Sequence, residues 1–401
     1  MHNQKTEMPA GMSPVLRVGI LGLGAAVALG FARFAYALIL PDMRVDLGWS
    51  YSQAGWMNGV NAAGYLAGTL IAVPIGNRFG HRMMFAVGVI ATALAVLATG
   101  LTRNFELLTL FRVLAGTGAA FAFIIGGVMA AEVSSTAGHR SALALGMFYA
   151  GPGFGIVVAG LFVPAHSAAY GTSAWQEAWL LLGLCTMAAA LLSLFGMPRK
   201  KLARPVNGAE SRKAFRPVAA IPALLGYAAF GGGYIGYMTF IFALLKQLGA
   251  SYVELSVFWI LTGLAGMASP WLWAWLIGGQ PHGRALSTLT GMTLVGAAIP
   301  LVFHNMVAAY ISGIIFGAAF LSVVAATTAF VRRNTDPADW PRGIAVFTIF
   351  FGAGQTFGPI LVGWMSDTSG SLVTGLWYGC LFLAVGTVLA AFQSDFQTEG
   401  R

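Results

Sequence analysis

Two arginines lie inside long apolar stretches of the chain, and their guanidinium groups have the clearest capacity for chemistry. Arg33 and Arg112 each stand well inside a stretch that is long enough to cross a lipid bilayer. A charge at such depth is costly, so it normally faces a cavity or a partner. For Arg33 two interpretations compete: a cationic anchor for an anionic ligand, or a structural residue that binds carbonyls or reaches the outer interface.

Polar and aromatic side chains fall at comparable depths in other apolar stretches. Asn58 and Asn61 are three residues apart and therefore share one helix face. They either line a path with Tyr65 or hydrogen-bond between helices. A cation with amide groups suits a small polar anion, and nearby rings suit a carboxylate on an aromatic or short apolar body, although packing alone also explains the tyrosines. The ligand-binding candidates are Arg33, Tyr36, Asn58, Asn61, Tyr234, Tyr237 and Gln355.

The composition explains why these residues are embedded in apolar sequence. Of the 401 residues, 58% are hydrophobic and 9% are charged, with a mean hydropathy of +0.77, whereas soluble domains carry roughly 25% charged residues. A membrane-spanning helix needs about 20 apolar residues. We predict twelve such helices, over residues 15–40, 51–76, 82–101, 106–131, 140–164, 175–196, 218–245, 252–277, 284–303, 306–331, 342–365 and 372–393.

A polar and strongly basic segment divides these helices into two groups of six. We predict an amino-terminal six-helix bundle over residues 1–196, a cytoplasmic linker over 197–217 and a carboxyl-terminal bundle over 218–401. With the amino terminus on the cytoplasmic side, 17 of the 22 Lys and Arg residues fall on that side and three fall outside. Lys and Arg are retained in cytoplasmic loops. We therefore expect both termini in the cytoplasm and the protein in a bacterial inner membrane.

The two groups of helices repeat one another. Residues 47–51 (LGWSY) and 248–252 (LGASY) follow the first and seventh predicted helices at an offset of 201. By the same offset, Tyr234 is the repeat equivalent of Arg33, and Tyr237 is the repeat equivalent of Tyr36. A duplication of six plus six helices puts a ligand site between the halves near the bilayer midplane.

Several function classes are less well supported because the sequence lacks the residues that they require. None of the 13 Asp and Glu residues falls near the middle of a predicted helix. Embedded carboxylates are common proton relays, so proton-driven transport and cationic-drug export lose weight, although a substrate carboxylate could itself carry the proton. The histidines make no metal-binding spacing, and Gly231–Gly233 is no phosphate loop because neither a strand nor a Lys-Ser/Thr follows. We expect no enzymatic activity, metal, cofactor or nucleic-acid partner.

Over nearly its whole length the chain resembles the major facilitator superfamily of transporters. The loop at Gly76–Arg82 is similar to that family's signature loop, with Asn77 in place of the usual Asp, and Leu108–Ala120 is similar to its fourth-helix pattern. Gly151-Pro152 resembles a motif of exporting antiporters. The pattern over Gly30–Tyr36 resembles a bacterial branch, the YbfB-like transporters.

The resemblance implies gating and structural roles for further residues. Arg78 or Arg82 is expected to pair with Glu132 as an inner latch, with the loop packed near Arg342. A solvated charged rim is the alternative, and Asn77 lacks the charge that the family's Asp supplies. The gating candidates are Asn77, Arg78, Gly80, Arg82, Glu132 and Arg342. The structural or coupling candidates are Arg112, Gly116, Gly151, Pro152, Gly358 and Pro359.

These observations together predict an all-α membrane protein that works as a secondary transporter by alternating access. The preferred substrate is a small organic anion bound through Arg33. The alternative is an efflux pump for amphipathic drugs or metabolites, favoured by the Gly-Pro pattern. A channel or a non-transporting sensor finds no supporting feature. The expected partners are a small-molecule substrate and the lipid bilayer, and the resemblance implies a monomer.

Overall fold

Twelve helices long and apolar enough to cross a membrane make up the part of the chain that the structure describes. The structure is a computed structural model that describes residues 12–198 and 214–396. Most of the predicted linker and both termini therefore lie outside the described residues. The helices are α1 Pro14–Leu47, α2 Tyr51–Phe79, α3 His81–Thr99, α4 Phe105–Ser135, α5 Gly138–Tyr170, α6 Thr172–Leu194, α7 Val218–Gln247, α8 Tyr252–Gly279, α9 Arg284–Val302, α10 Met306–Asn334, α11 Pro337–Ser369 and α12 Leu372–Ala391. The count confirms the prediction from the sequence.

The repeat in the sequence reappears in local structure. Ser50 caps α2 in a capping box with Gln53, and Ser251 caps α8 in the same way with Glu254. In such a box, each side chain satisfies a backbone N–H that the first helical turn leaves unpaired. The chain enters both caps through a left-handed glycine, with φ of 65° at Gly48 and 86° at Gly249.

The first helix is longer and less regular than predicted. We placed its end at residue 40, next to Pro41, but the helix continues to Leu47. Proline is tolerated in membrane helices because neighbouring groups satisfy the carbonyl that it leaves free. Before this extension, residues 26–34 form a π-helical segment, and the N–H of Ala35 donates to the carbonyl of Gly30 at 3.0 Å. The equivalent part of α7 is a regular α-helix.

Glycines let helices approach closely within and between the two halves. A Cβ on Gly151 would collide with the backbone of Gly22, and one on Gly358 would collide with that of Gly232. The Gly-Pro pairs of α5 and α11 therefore lie where these helices pack on α1 and α7. Between the halves, α5 packs on α8 through Gly153, and α2 packs on α11 through Gly55. Small residues drive such packing because lipid gives helices no hydrophobic reason to associate.

We predict that Gly358→Ala destabilises the protein, because the added Cβ forces α11 away from α7. Overpacking of this kind costs about 1–3 kcal/mol, so thermal unfolding followed by tryptophan fluorescence should shift down by several degrees. Gly278→Ala is the control, since its Cβ meets no atom within 4 Å. Equal melting of the two variants would contradict the close approach.

Candidate functional site

The guanidinium of Arg112 connects four helices near the middle of the amino-terminal half. Its Nη1 donates to the carbonyl of Ala32 at 2.6 Å and its Nε to the carbonyl of Met57 at 3.2 Å. The group lies over the rings of Tyr36 and Trp179, at 4.8 Å and 5.7 Å from their centroids. Arg112 thereby joins α4 to α1, α2 and α6.

Arg33 follows Ala32 in the π-helical segment of α1, and two nitrogens of its guanidinium have no hydrogen-bond partner. Arg33 is 2% exposed, and its Nε and Nη2 are buried without a hydrogen-bond partner. Its guanidinium carbon lies 5.8 Å from the ring centroid of Tyr65 on α2. The group is also close enough to interact electrostatically with Tyr234 on α7. It therefore sits where the two halves meet.

The two predicted asparagines have different partners. Asn61 donates through Nδ2 to the carbonyl of Arg112 at 3.0 Å, which ties α2 to α4. Asn58 donates through Nδ2 to the hydroxyl of Thr239 on α7 at 2.6 Å, so it spans the halves. The Oδ1 atom of Asn58 is buried without a partner.

Two of the predicted tyrosines have hydroxyl groups that the protein already engages. Tyr36 donates to the carbonyl of Ala54 at 2.8 Å, and its ring stacks on Trp179. The hydroxyl of Tyr237 lies 2.6 Å from that of Ser312, and its ring stacks on Phe316. These contacts provide a packing role for both residues, while a role in binding a ligand stays a prediction.

Tyr234 and Gln355 belong to an aromatic wall in the carboxyl-terminal half. The ring of Tyr234 stacks on Phe230 at 4.9 Å, on Phe351 at 5.8 Å and on Phe320 at 5.9 Å between centroids. Its hydroxyl bonds the side-chain amide of Gln355. The remaining amide atom of Gln355, Oε1, is buried without a partner. Arg33 of the amino-terminal half therefore lies near Tyr234 of the carboxyl-terminal half.

Polar contacts close the gap between the halves at the predicted outer end. The Lys246 ammonium pairs with the buried Asp42 carboxylate at 2.5 Å, joining α7 to α1. Asp367 at the end of α11 accepts from the backbone N–H groups of Tyr51 and Ser52, each at 2.8 Å. A carboxylate at a helix amino terminus is favoured by the helix dipole and the free N–H groups.

The predicted gating residues lie at the other end and are mostly exposed. Asn77, Arg82 and Arg342 are exposed, and Gly80 ends α2 with φ 96°. Arg78 lies over the ring of Phe79 at 5.2 Å. The Oε2 atom of Glu132 is buried without a hydrogen-bond partner. An inner latch through Glu132 stays a prediction.

A second polar cluster at the inner end was not predicted. Asp395 accepts from Asn334 at 3.0 Å and from the backbone N–H of His282 at 3.1 Å, and it lies 3.4 Å from Arg333. Partial burial opposes ionisation, but these hydrogen bonds and the neighbouring charges of Arg333 and His282 hold the pKa of Asp395 below its usual value. The cluster fixes the chain after α12 to α10 and to the loop before α9.

The residues that sequence reasoning missed all act between helices. Asp42 and Lys246 lie just beyond residues 40 and 245, where we ended the first and the seventh helix, but the structure places both inside these helices. Asp367 and Thr239 carry no local signal, since their partners lie in the other half of the chain. Tyr65, by contrast, was expected to line a path with the asparagines, and it stands seven residues after Asn58 and thus on the same helix face.

The chain was compared with known families, curated proteins and solved structures. The model of the family described as "Uncharacterised MFS-type transporter YbfB" matches residues 25–391. The 4-hydroxybenzoate transporter PcaK of Acinetobacter baylyi is 27% identical over 184 residues, which cover 46% of this chain and 39% of that protein. Monocarboxylate transporter 11 of Mus musculus is 28% identical over 228 residues, which cover 52% and 48%. The chain thus spans less than half the length of these two relatives.

The fold has a counterpart among solved structures. The crystal structure of the nucleoside transporter NupG aligns with a TM-score of 0.72 and 12% identity, covering 95% of this chain and 98% of that one. At this identity the likeness concerns the fold alone, which it confirms: twelve helices in two six-helix bundles.

We predict that Arg112→Lys destabilises the protein. A lysine ammonium lacks the rigid fork that reaches the carbonyls of Ala32 and Met57 together, and it stacks less well on Tyr36 and Trp179. The expected loss is about 1–3 kcal/mol, read as a lower thermal unfolding temperature. Arg103→Lys is the matched control, because that side chain is 53% exposed. Unfolding of both variants at the wild-type temperature would argue against the connecting role of Arg112.

We also predict that Asp42→Asn loosens the outer end, because it leaves the Lys246 ammonium without its charged partner. Hydrogen–deuterium exchange should become faster at the outer ends of α1 and α7. Asp46→Asn is the control, since Asp46 pairs with Arg103 within one half at 2.6 Å. The interpretation fails if the two variants exchange alike at these ends.

Proposed function

We propose, from the premise that this chain belongs to the YbfB-like family of major facilitator superfamily transporters, that it carries a small organic anion across the membrane. The two six-helix bundles rock about a central site and expose it to one side at a time. We place the protein in a bacterial inner membrane with its termini in the cytoplasm, from the distribution of Lys and Arg.

The observation that carries this proposal is the open guanidinium of Arg33. It is a buried cation between the halves whose Nε and Nη2 lack hydrogen-bond partners. A buried donor without a partner costs free energy, and a charged one costs more. An anion that binds there recovers this cost and also neutralises the charge, whereas a neutral acceptor leaves the charge and a cation is repelled.

The aromatic wall supports an organic rather than an inorganic anion. The rings of Tyr234, Phe320 and Phe351 stack on one another, and we propose that the body of a substrate whose charged group binds Arg33 packs beside this stack. Aromatic pairs stack with centroids about 4.5–7 Å apart, so a planar substrate fits this wall. The names of both reported relatives, a 4-hydroxybenzoate transporter and a monocarboxylate transporter, refer to organic acids.

The outer closure supports a conformation of the cycle that is closed to the outside. In that conformation the Asp42–Lys246 pair and the Asp367 cap hold the outer ends of the halves together. We propose that the inner residues Asn77, Arg78, Gly80, Arg82, Glu132 and Arg342 close the opposite side when the outer contacts separate. Gly116, Gly151, Pro152, Gly358 and Pro359 serve close helix packing during this movement, and the transporter works as a monomer.

A second candidate function is efflux of amphipathic drugs or metabolites. It rests on the Gly151-Pro152-Gly153 sequence of α5, because Gly153 packs directly on Gly263 of α8 across the halves. A flexible helix at that contact would serve export and import equally, so the Gly-Pro sequence does not decide between the two functions. The unpartnered guanidinium of Arg33 favours the organic anion.

We predict that Arg33→Ala weakens the binding of every organic anion that the wild-type protein binds. Loss of hydrogen bonds to a charged group costs about 1.5–3 kcal/mol, which is about tenfold to a hundredfold in affinity. Calorimetric titration of the protein in nanodiscs with benzoate, butyrate and their derivatives measures this. Arg140→Ala is the control, because Arg140 is exposed at the end of α5. Unchanged affinity for all anions in Arg33→Ala would overturn the proposal.

A further inference from the structure

The two open nitrogens of Arg33 lie on the same edge of the guanidinium. Nε and Nη2 are adjacent donors whose N–H bonds run side by side, and this spacing matches the two oxygens of a carboxylate. Both atoms are buried without a partner in a side chain that is 2% exposed. Arg33 therefore presents a preformed fork for one planar carboxylate, rather than a diffuse positive charge.

The fork for a carboxylate belongs to Arg33. Arg112, the other arginine buried within the apolar spans, donates to two carbonyls through Nη1 and Nε, so only its Nη2 lacks a partner. The Lys246 ammonium pairs with Asp42 at the outer end. A second carboxylate on the substrate would find no second fork, and burying a poorly paired charge is costly.

Asn58 supplies a hydrogen-bond acceptor, Oδ1, that has no partner. The hydrogen bonds of Asn58 and Thr239 determine which way this atom points. The hydroxyl of Thr239 donates to the carbonyl of Ile235 at 2.6 Å, so its oxygen can only accept from Asn58. The Nδ2 atom of Asn58 must then face Thr239, and Oδ1 points the other way. That Oδ1 is buried without a partner, in a residue that is 2% exposed. The acceptor is ready for a donor on a ligand.

The fork and the acceptor lie on the neighbouring helices α1 and α2 at a similar depth. Arg112 binds the carbonyls of Ala32 and Met57, the residues immediately before Arg33 and Asn58, so α1 and α2 meet at this level. Arg33 lies over Tyr65, which stands two turns from Asn58 on the same face of α2. Two turns rise about 10 Å. A six-membered ring with groups at opposite ends, plus hydrogen bonds of about 2.8 Å, spans a distance of this order.

We propose that the substrate is a monocarboxylate that carries a neutral hydrogen-bond donor, such as a hydroxyl, at the far end of a planar body. The fork of Arg33 binds the carboxylate, Oδ1 of Asn58 accepts from the donor, and the rings around Tyr234 pack on the body. An ammonium in place of the hydroxyl would find no carboxylate, because no Asp or Glu in the described residues lies at mid-helix. This inference rests on the proposed transport of an organic anion.

Calorimetric titration of the wild-type protein in nanodiscs tests the proposal with ligands that differ by one group. The ligands are benzoate, 4-methylbenzoate, 4-hydroxybenzoate and terephthalate, with propionate and succinate as an aliphatic series that tests charge alone. One added hydrogen bond should make 4-hydroxybenzoate bind about threefold to tenfold more tightly than benzoate or 4-methylbenzoate. Each dianion should bind at least about tenfold more weakly than the matched monoanion.

Two variants separate the roles of Asn58. Asn58→Leu removes the acceptor and should abolish the preference for the hydroxyl, so that 4-hydroxybenzoate and benzoate bind this variant with equal affinity. Thr239→Val is the matched control: it breaks the same bond across the halves but keeps Oδ1, so the preference should remain. The ligand series on the wild-type protein tests the proposal even where Asn58→Leu fails to fold.

The outcomes distinguish this inference from the proposed function. Binding of monocarboxylates without any advantage for the hydroxyl, or binding of dianions with equal affinity, overturns the inference and leaves organic-anion transport standing. Retention of the hydroxyl preference in Asn58→Leu also overturns it. Absence of saturable binding by every acid in both series overturns the proposed function, and the inference with it.

Discussion

The buried guanidinium of Arg112 is the interaction on which the central site depends. A cation in the apolar part of a membrane protein must find acceptors, and Arg112 takes the carbonyls of Ala32 and Met57. Those carbonyls belong to different helices, so satisfying one charge also fixes α1 against α2. The guanidinium also lies against the rings of Tyr36 and Trp179. Arg33 directly follows Ala32 on α1 and is therefore held beside Arg112. Its own Nε and Nη2 have no carbonyl as a partner.

The functional asymmetry of the protein arises where its internal repeat breaks down. The two halves share capping boxes, left-handed glycines and Gly-Pro packing contacts, which serve the fold in both. At the level of the site they differ, because α1 has a π-helical segment that contains Arg33, while α7 is regular and places Tyr234 at the same repeat position. Short π-helical stretches are frequent at functional sites. One half therefore supplies the cation and the other supplies the rings.

The features that could be predicted from the sequence are those set by local composition. Twelve spans follow from apolar length, and the repeat follows from recurring short motifs, so both are found in the structure. The end of α1 was wrong because Pro41 suggested a stop, whereas tertiary packing carries the helix on to Leu47. The partners of Tyr36, Asn61 and Tyr237 could not be inferred, because each depends on which atom of another helix lies opposite. The same holds for Asp42, which lies just beyond residue 40, where we ended the first helix, and pairs with Lys246 across the halves.

The open edge of Arg33 also connects binding to the conformational cycle. A buried donor without a partner costs about 1–3 kcal/mol, and more when it is charged, so the empty site is least favourable when the halves enclose it. Water can reach the guanidinium when either side is open, which lowers this cost. A carboxylate in the fork lowers it in the enclosed state as well. A ligand shifts a conformational equilibrium only through its different affinity for the two states. A bound anion therefore favours passage through the enclosed state, and the same contacts that select the substrate promote its movement across the membrane.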